Sequence, residues 1–349
     1  MNKLEKTIDD YVKRAMFYQD IPGISIIITN ENETIYSQGF GFINIAGKDP
    51  ITERTIFHMA SITKLFVATA MMQLVEKGKI NINERLIYYI PGFVLKDKRH
   101  KDITILHLLS HTSGIPDCAD YGWEEAEYDQ KALNRYVHNL EDLRLLFQPG
   151  NKFQYSNIAY EILGYLIEVI SEKEFEAYVD EHILRPLDMK DSTLLYRDKH
   201  YGKIAAPHTK NQEKKVVQSR IYPYHRAHAP SSTLTSNAVD MSKWAIMNLN
   251  RGIFNGNRIL QESSYQQMWT PVASMKGEQE KIGLGWFISK HNHFSMLGHD
   301  GSDIGFRSSF GMIPEKNLSI GIFANIDNIS TRRIMRSIFD ILLETPEKN

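Results

Sequence analysis

The spacing of hydrophobic residues changes along the chain, from strand-like near the start to helical in the middle and back again. Between residues 4 and 16, apolar side chains recur at helical spacing, which predicts an amphipathic helix packed on a core. A β-branched run at 24–29 predicts a buried strand. Residues 34–43, which follow the polar turn 31–33, are expected to form its hairpin partner.

Helical periodicity dominates the middle of the chain. Residues 61–76 are apolar around most of a helix, which predicts a helix buried on nearly all sides, with Gly78 as its stop. Three further helices are predicted, over residues 158–170, 175–183 and 238–249.

Strand patterns return from about residue 281. Short polar turns separate four predicted strands, at residues 283–289, 293–299, 305–313 and 319–326. Residues 314–317, with the sequence Pro-Glu-Lys-Asn, fit a hairpin loop. A final helix is expected to carry four apolar side chains on one face: Ile334, Ile338, Ile341 and Leu342.

Strands at both ends of the chain with helices between them predict an α/β fold of the α+β type. Its antiparallel sheet is expected to be formed by the N- and C-terminal segments, about 1–60 and 281–349, and to be flanked by helices. A mainly helical region, about 80–250, is inserted between them. The sequence shows no repeat or low-complexity linker, so residues 1–349 are expected to form a single domain.

Composition and charge exclude several classes of protein. Lys and Arg number 41 and Asp and Glu 42, so the net charge of -1 favours neither nucleic acid nor an anionic membrane as a partner. The chain lacks an apolar run near the ~18 residues of a spanning helix. Its charged start is unlike a signal peptide, so a cytoplasmic location is expected unless a leader has been removed.

Cysteine and histidine indicate neither a disulfide nor a metal. Cys118 is the single cysteine, which excludes an internal disulfide, and it is expected to be a passive loop thiol. The 13 His lack metal-binding spacing, so neither a metal nor another cofactor is expected. The absence of a Gly-x-Ser-x-Gly motif argues against an α/β-hydrolase.

The first candidate for chemistry is Ser61-Ile62-Thr63-Lys64, at the start of the buried helix. Residues at i and i+3 share a helix face, so Lys64 can reach the Ser61 hydroxyl. Burial lowers the pKa of a lysine, and such a lysine can take the proton of a serine nucleophile. The spacing also arises by chance about once in a chain of this length. An N-cap serine with a solvated lysine is the alternative.

A second candidate pair, Tyr155 and Asn157, follows a Gln-Pro-Gly turn and opens another helix. A tyrosine can act as general base where nearby cations stabilise its phenolate. Asn157 can bond both a lysine and a substrate carbonyl. The alternative is an aromatic residue packed at a helix start, with Ser156 or Asn157 as the cap.

The third candidate, His299-Asp300-Gly301-Ser302, falls between two late strands. A histidine there could orient a substrate or relay a proton, and a glycine lets the backbone approach a ligand closely. The alternative is a tight turn with a surface histidine. Lys281-Ile282-Gly283 is a competing basic-x-Gly triplet, although its glycine fits the entry of a strand.

Taken in this order, the three motifs resemble those of the serine β-lactamase and penicillin-binding-protein superfamily. The best match is the branch with class C β-lactamases, D-alanyl-D-alanine carboxypeptidases, D-aminopeptidases and related esterases. The likeness covers nearly the whole chain, and the typical segments are PGISIIITNENETIYSQGFGFIN, FHMASITKLFVATAMMQLVEKGKI, ITILHLLSHTSGIPD, FQYSNIAYEILGYLIE and GLGWFI ahead of GHDGSDIGF. The fold it implies is β-lactamase/transpeptidase-like.

The resemblance implies a role for each catalytic residue. Ser61 would attack a carbonyl and become acylated, and the protein would be a serine hydrolase. Lys64 and Tyr155 would take the serine proton and pass it to the leaving group. Tyr155 would then activate water for deacylation.

The resemblance also implies how a substrate is held. The backbone N–H groups of Ser61 and Ser302 would form the oxyanion hole, beside Gly301. Asn157 would hold the substrate amide, and His299 would line the site. Aromatic candidates for the rest of the cleft lining are Tyr121, Trp123, Tyr222 and Tyr224.

Two departures from the family pattern bear on the substrate. The third motif is His-Asp-Gly instead of Lys-Thr-Gly, which looks more like the peptidases and esterases. Residues 229–234 replace a Gly-Gly that many relatives carry, which leaves the cleft shape open. A small-molecule ester, amide or β-lactam substrate is expected, with esterase or peptide/amide hydrolase activity favoured. The alternatives are a D-alanyl-D-alanine carboxypeptidase, a weak β-lactamase, or a catalytically silent penicillin-binding or ligand-binding scaffold.

Overall fold

Both ends of the chain contribute strands to one large antiparallel sheet. The computed structural model describes residues 3–196, 203–275, 277 and 279–344. The strands are β1 (Gly23–Thr29), β2 (Thr34–Gly41), β3 (Phe57–His58), β4 (His208–Lys210), β5 (Val216–Gln218), β6 (Thr235–Ser236), β7 (Ile253–Phe254), β8 (Asn257–Arg258), β9 (Ala273–Ser274), β10 (Lys281–Ile282), β11 (Phe287–His291), β12 (Phe294–Asp303), β13 (Phe306–Ile313) and β14 (Leu318–Ala324). The large sheet has eight of them, in the order β2-β1-β14-β13-β12-β11-β10-β9.

Most helices lie in the part of the chain between the two halves of this sheet. The helices are α1 (Lys3–Gln19), α2 (Thr63–Glu76), α3 (Leu86–Tyr89), α4 (Ile105–Leu109), α5 (Ala132–His138), α6 (Asn157–Ser171), α7 (Phe175–Val179), α8 (Ala229–Ser232), α9 (Ala238–Leu249), α10 (Glu262–Met268) and α11 (Thr331–Glu344). A π-helical turn, Asp180–Leu184, continues α7, and short 3-10 turns include Ala60–Ile62 before α2.

Strand β1 joins the two ends of the chain. It lies between β2 and β14, so that Ile26 pairs with Gln38 on one side and with Ile322 on the other. All seven residues of β1 are buried, as expected for a strand covered on both faces. The α/β fold class, with its sheet built from the N- and C-terminal segments and flanked by helices, is therefore confirmed.

The sheet separates two hydrophobic cores. On the outer face, α1 and α11 pack on alternate residues of β1, among them Ile24 and Ile26. On the inner face, Ile27 joins a larger core around α2, α6 and α9. Side chains alternate across a strand, so β1 contributes to both cores. Burying each isoleucine contributes about 1.5–3 kcal/mol to stability.

The structure contains the predicted helices and strands, but some of them begin or end at other residues. The helix predicted from residue 61 begins with a 3-10 turn, and α2 starts only at Thr63. The strand predicted from Gly283 starts at Phe287, because Gly285 adopts a left-handed φ of 79° and turns the chain. The prediction that the third motif lies between two strands is wrong, because His299 to Ser302 lie within β12. In the part of the chain described, no helix is long and apolar enough to cross a membrane.

Candidate active site

Ser61 lies in a tight backbone turn that is held against the sheet. The residue before it, Ala60, adopts a left-handed φ of 48°, which is strained for a side chain other than glycine. Thr63 Oγ1 donates to the Ala60 carbonyl at 2.6 Å. From β13, Ser308 Oγ donates to the Met59 carbonyl at 2.7 Å. These bonds hold the backbone of the turn that carries Ser61.

Gly301 is the point at which β12 meets this turn. A methyl group at Gly301 would overlap both Ser308 Oγ and the Met59 carbonyl oxygen, and it would lie 3.1 Å from Ala60 Cβ. Only glycine allows the two backbones to come this close. The β12 backbone therefore runs alongside the turn that carries Ser61, and Ser302 follows directly.

Lys64 is fully buried beneath Ser61 and makes three hydrogen bonds. Its Nζ donates to Ser61 Oγ at 3.0 Å, to Asn157 Oδ1 at 2.5 Å and to the Ser231 carbonyl at 2.8 Å. Burial lowers the pKa of Lys64 to about 8, although the negative charges of Glu161, Asp303 and Asp117 oppose that shift. The ammonium group thus loses its proton far more readily than an ordinary lysine.

Asn157 has a fixed side-chain orientation. Its backbone N–H and its Nδ2 both donate to Asp117 Oδ1, at 2.8 and 2.9 Å, and Nδ2 also contacts the Tyr121 hydroxyl. A carboxylate only accepts hydrogen bonds, so the amide nitrogen must face Asp117 and the amide oxygen must face Lys64. Ser156 caps α6 by accepting from Ala159 N–H at 3.1 Å.

Tyr155 lines the same cleft as Ser61. Desolvation raises the pKa of its phenol well above the ordinary value, although the Ser61 hydroxyl acts to lower it, so Tyr155 is a neutral phenol at neutral pH. Lys64 Nζ lies 5.1 Å from the centroid of its ring. The His111 ring lies 4.4 Å from the same ring, and burial lowers the pKa of His111 well below its usual value, so that it stays neutral.

His299, and not Lys281, lines the site. Its side chain is 4% exposed, and burial lowers its pKa to about 3. Its Nδ1 lies 2.6 Å from the Asp300 carbonyl oxygen, which can only accept, so Nδ1 carries the proton. Nε2 has no partner among the described residues. Lys281 is exposed on β10, two strands away from β12 in the sheet.

A cleft of about 320 Å³ opens over these groups. The described residues that line it are Ser61, Asp117, Tyr121, Tyr155, Asn157, Ser232, Phe287, His299, Asp300, Ser302 and Asp303. The structure thus brings together the three sequence motifs from distant parts of the chain.

The four aromatic candidates for the cleft lining have different positions. Tyr121 lines the cleft, and Trp123 stacks on it with ring centroids 4.9 Å apart. Tyr222 packs on His58 and is not among the described residues that line the cleft. Tyr224 is 4% exposed and stacks on Tyr128, away from the site.

Several groups around Lys64 escaped sequence reasoning. Glu161 is fully buried, and its Oε1 accepts from His228 Nδ1 at 2.9 Å and from Ser231 Oγ at 2.6 Å. Glu161 and His228 thus lie next to Ser231, whose carbonyl accepts a hydrogen bond from Lys64. None of these residues belongs to a recognisable motif, since their contacts span 67 and 70 positions along the chain.

Cys118 is not part of the catalytic geometry. Its Sγ donates to the Asp120 carbonyl at 2.9 Å, and burial raises the pKa of its thiol. A thiol with a raised pKa carries little thiolate at neutral pH and is a poor nucleophile. The residue beside it, Asp117, is the one that contacts the site.

The sheet and the helical region together define a penicillin-binding-protein-like fold. The chain belongs to the beta-lactamase family, whose model matches residues 8–342. Protein flp of Staphylococcus aureus (strain MW2) is 26% identical over 332 residues, which cover 94% of this chain and 64% of that protein. The chain thus spans less than two thirds of the length of that relative.

Solved structures agree with this assignment. The octameric penicillin-binding protein homologue from Pyrococcus abyssi superimposes with a TM-score of 0.86 at 26% identity, over 98% of this chain and 78% of that one. A D-stereospecific amidohydrolase from Streptomyces superimposes with a TM-score of 0.78 at 21% identity, over 95% of this chain and 98% of that one, which shows a shared fold. The family match and the solved structures thus agree on the β-lactamase fold.

Proposed function

We propose that the protein is a serine hydrolase that acts through an acyl-enzyme formed on Ser61. The observation that carries this proposal is the set of three hydrogen bonds around Lys64 Nζ. Two of its partners, Asn157 Oδ1 and the Ser231 carbonyl, can only accept hydrogen bonds. The third partner, the Ser61 hydroxyl, can both donate and accept.

In this arrangement neutral Lys64 is well placed to act as general base for acylation. A neutral amine has two N–H groups and one lone pair. The two N–H groups remain on Asn157 Oδ1 and the Ser231 carbonyl, so the lone pair points at the Ser61 hydroxyl proton. With a pKa near 8, an appreciable fraction of Lys64 is neutral at physiological pH.

Tyr155 then acts as a proton carrier on the leaving-group side. Its high pKa keeps the phenol protonated in the free enzyme, so it can donate to the leaving group. The Ser61 Oγ–carbon bond forms, the bond to the leaving group breaks, and the serine proton leaves with that group by way of Lys64 and Tyr155. In deacylation the same residues take a proton from water and return it to Ser61.

The oxyanion of each tetrahedral intermediate requires two backbone donors. We assign the N–H groups of Ser61 and Ser302, because Gly301 brings the β12 backbone against the turn that carries Ser61. Removal of one such donor in a serine hydrolase costs about 10²–10³ in rate. For Asn157 to hold a substrate amide, its Nδ2 must exchange the contact with the Tyr121 hydroxyl for the substrate carbonyl. His299 closes one wall of the cleft.

Esters, peptides and amides suit this cleft better than β-lactams or peptides that end in a carboxylate. A substrate carboxylate is held most strongly by a charge-assisted hydrogen bond from a cation. Among the described residues that line the cleft there is no Lys or Arg, and His299 is neutral. Lys64 lies beneath the lining with all its donors engaged.

Turnover of a chromogenic ester tests the proposal against a silent binding scaffold on the same fold. Wild type should release the chromophore, and Ser61→Ala should be slower by at least about a thousandfold. Tyr155→Phe should slow both acylation and deacylation, since it loses the hydroxyl proton. Lack of turnover by the wild type, or equal turnover by Ser61→Ala, would contradict the proposal.

A further inference from the structure

A second cavity, of about 600 Å³, opens at the C-terminal end of α2, away from the active-site cleft. Small-molecule sites typically have volumes of about 300–1,000 Å³. Three parts of the chain form the walls of this distal cavity: residues 73–77, 182–186 and 257–261. It shares no described lining residue with the cleft over the nucleophile. Of the nine described residues that line it, only Pro186 and Ile259 are apolar, so the cavity suits a polar ligand.

Gln73 holds the three walls of the distal cavity together. It is only 7% exposed, and its Nε2 donates to the His182 carbonyl at 3.0 Å and to the Ile259 carbonyl at 3.1 Å. A carbonyl only accepts hydrogen bonds, so these contacts fix which side of the amide is nitrogen. Oε1 is left buried without a partner among the described residues. A buried acceptor without a partner is destabilising, and an O–H group of a ligand in the cavity would satisfy it.

Two cations in the lining, Lys77 and Arg258, form no ion pair with a described residue. Lys77 Nζ lies 5.5 Å from the centroid of the Tyr178 ring, and Arg258 Nη1 donates to the Leu260 carbonyl at 3.2 Å. Burial and then the charge of Lys77 lower the pKa of His182, so this histidine is neutral at neutral pH. The two cations are therefore available to an anion.

The negative groups around the distal cavity are already engaged. Glu76 is the single carboxylate among the described lining residues, and its Oε1 accepts from the Gln261 N–H at 2.7 Å and from Ser264 Oγ. The last carbonyls of α2 would also repel an anion, but those of residues 73–75 accept from backbone N–H groups of residues 77–79. Positive charge thus exceeds negative charge in the lining.

We propose that the distal cavity is a binding site for a small phosphate ester that carries hydroxyl groups, such as a sugar phosphate. A phosphate monoester has nearly two negative charges at neutral pH, which match the charges of Lys77 and Arg258. A hydroxyl group of the ligand supplies the donor that Gln73 Oε1 lacks. Gln73 lies about 14 Å from Lys64 along the axis of α2, so the site is separate from the proposed chemistry.

Isothermal titration calorimetry of the full chain tests the site at neutral pH and fixed ionic strength. The probes are glycerol 3-phosphate, ribose 5-phosphate and glucose 6-phosphate, each beside its uncharged parent and beside methyl phosphate. At least one of the three hydroxylated phosphates should bind once per chain. Its Kd should be at least about tenfold lower than those of its parent and of methyl phosphate, because only the hydroxylated phosphate satisfies both the cations and the orphaned amide oxygen.

Three variants locate the bound phosphate, and circular dichroism checks that each is folded. Lys77→Gln and Arg258→Gln each remove one cation, so each should raise the Kd by about tenfold or more. Lys79→Gln is the matched control, because Lys79 is exposed and outside the lining, and it should keep the wild-type Kd. Ser61→Ala should also keep the wild-type Kd, which separates this site from the proposed function.

Four outcomes would overturn the inference. The first is that none of the three hydroxylated phosphates binds. The second is that methyl phosphate binds equally well, which would indicate an adventitious ion only. The third is that Lys79→Gln weakens binding as much as Lys77→Gln and Arg258→Gln, which would indicate diffuse positive charge. The fourth is that Ser61→Ala abolishes binding, which would place the phosphate in the active-site cleft.

Discussion

At the scale of single residues, the charge on Lys64 controls the proposed chemistry. Burial lowers its pKa to about 8, and the negative charge of Glu161 is the largest of the opposing influences. Glu161 reaches Lys64 through Ser231, whose hydroxyl bonds the carboxylate and whose carbonyl bonds the ammonium. Glu161 is thus a positioning residue that tunes Lys64 without touching a substrate.

The pH profile of kcat/KM tests this coupling. If neutral Lys64 is the base, the wild-type activity should rise with pH and level off with an apparent pKa of about 8. Glu161→Gln removes a charge that favours the protonated lysine, so its profile should move to lower pH. Glu141→Gln, an exposed change, should leave the profile in place. A profile that Glu161→Gln leaves unmoved, or moves to higher pH, would contradict the coupling.

Sequence reasoning reached some of these residues and missed others for a physical reason. Ser61 and Lys64 are one helical turn apart, and Tyr155 and Asn157 open a helix, so local spacing reveals both pairs. Asp117 shows no such spacing, although it fixes the amide of Asn157 across 40 positions of the chain. Contacts of that range depend on tertiary packing, which a single sequence does not display.

At the scale of elements, the close contact between β12 and the nucleophile turn is the critical feature. The sequence predicts a strand near residue 299, but it does not reveal that the strand continues to Asp303 and carries the His-Asp-Gly motif in its middle. Glycine and aspartate are common in turns, so the local pattern favours a turn there. Pairing with β13, from His299 opposite Phe310 to Asp303 opposite Phe306, overrides that preference.

Gly301→Ala tests this contact. The added methyl group would overlap Ser308 Oγ and the Met59 carbonyl, so either the strand or the turn must shift. We expect a loss of about 1–3 kcal/mol in the free energy of unfolding and a large loss of ester turnover, measured by denaturant titration and kinetics. Gly92→Ala is the control, because a Cβ there would meet nothing within 4 Å. Wild-type turnover in Gly301→Ala would show that the contact is not needed.

At the scale of the whole molecule, the sheet joins the two ends of the chain and separates two cores. The apolar patterns predicted the first of these features, because β1 and α2 are continuous apolar runs and α11 carries a regular apolar face. The separation into two cores was not predicted. The two-residue strands β3 and β6 were not predicted, since they are too short to show a period. A single domain unfolds in one cooperative transition. Unfolding experiments can therefore test the expectation that residues 1–349 form a single domain.

Ile338→Ala provides that test. Ile338 is fully buried in the outer core, whereas the four tryptophans lie elsewhere: Trp123, Trp244, Trp269 and Trp286. In a single domain, the change should lower the free energy of unfolding by about 2–5 kcal/mol, with the same shift by tryptophan fluorescence and by far-UV circular dichroism. Ile253→Ala, at a site 37% exposed, should have little effect. Separate transitions by the two probes would indicate two domains.

Intact mass after exposure to a fluorophosphonate probe shows directly whether the fold holds Ser61 as an activated nucleophile. Wild type and Ser61→Ala are treated side by side, and circular dichroism checks that both are folded. We expect a single adduct on the wild type and none on Ser61→Ala. An unmodified wild type, or the same adduct on both proteins, would contradict this expectation.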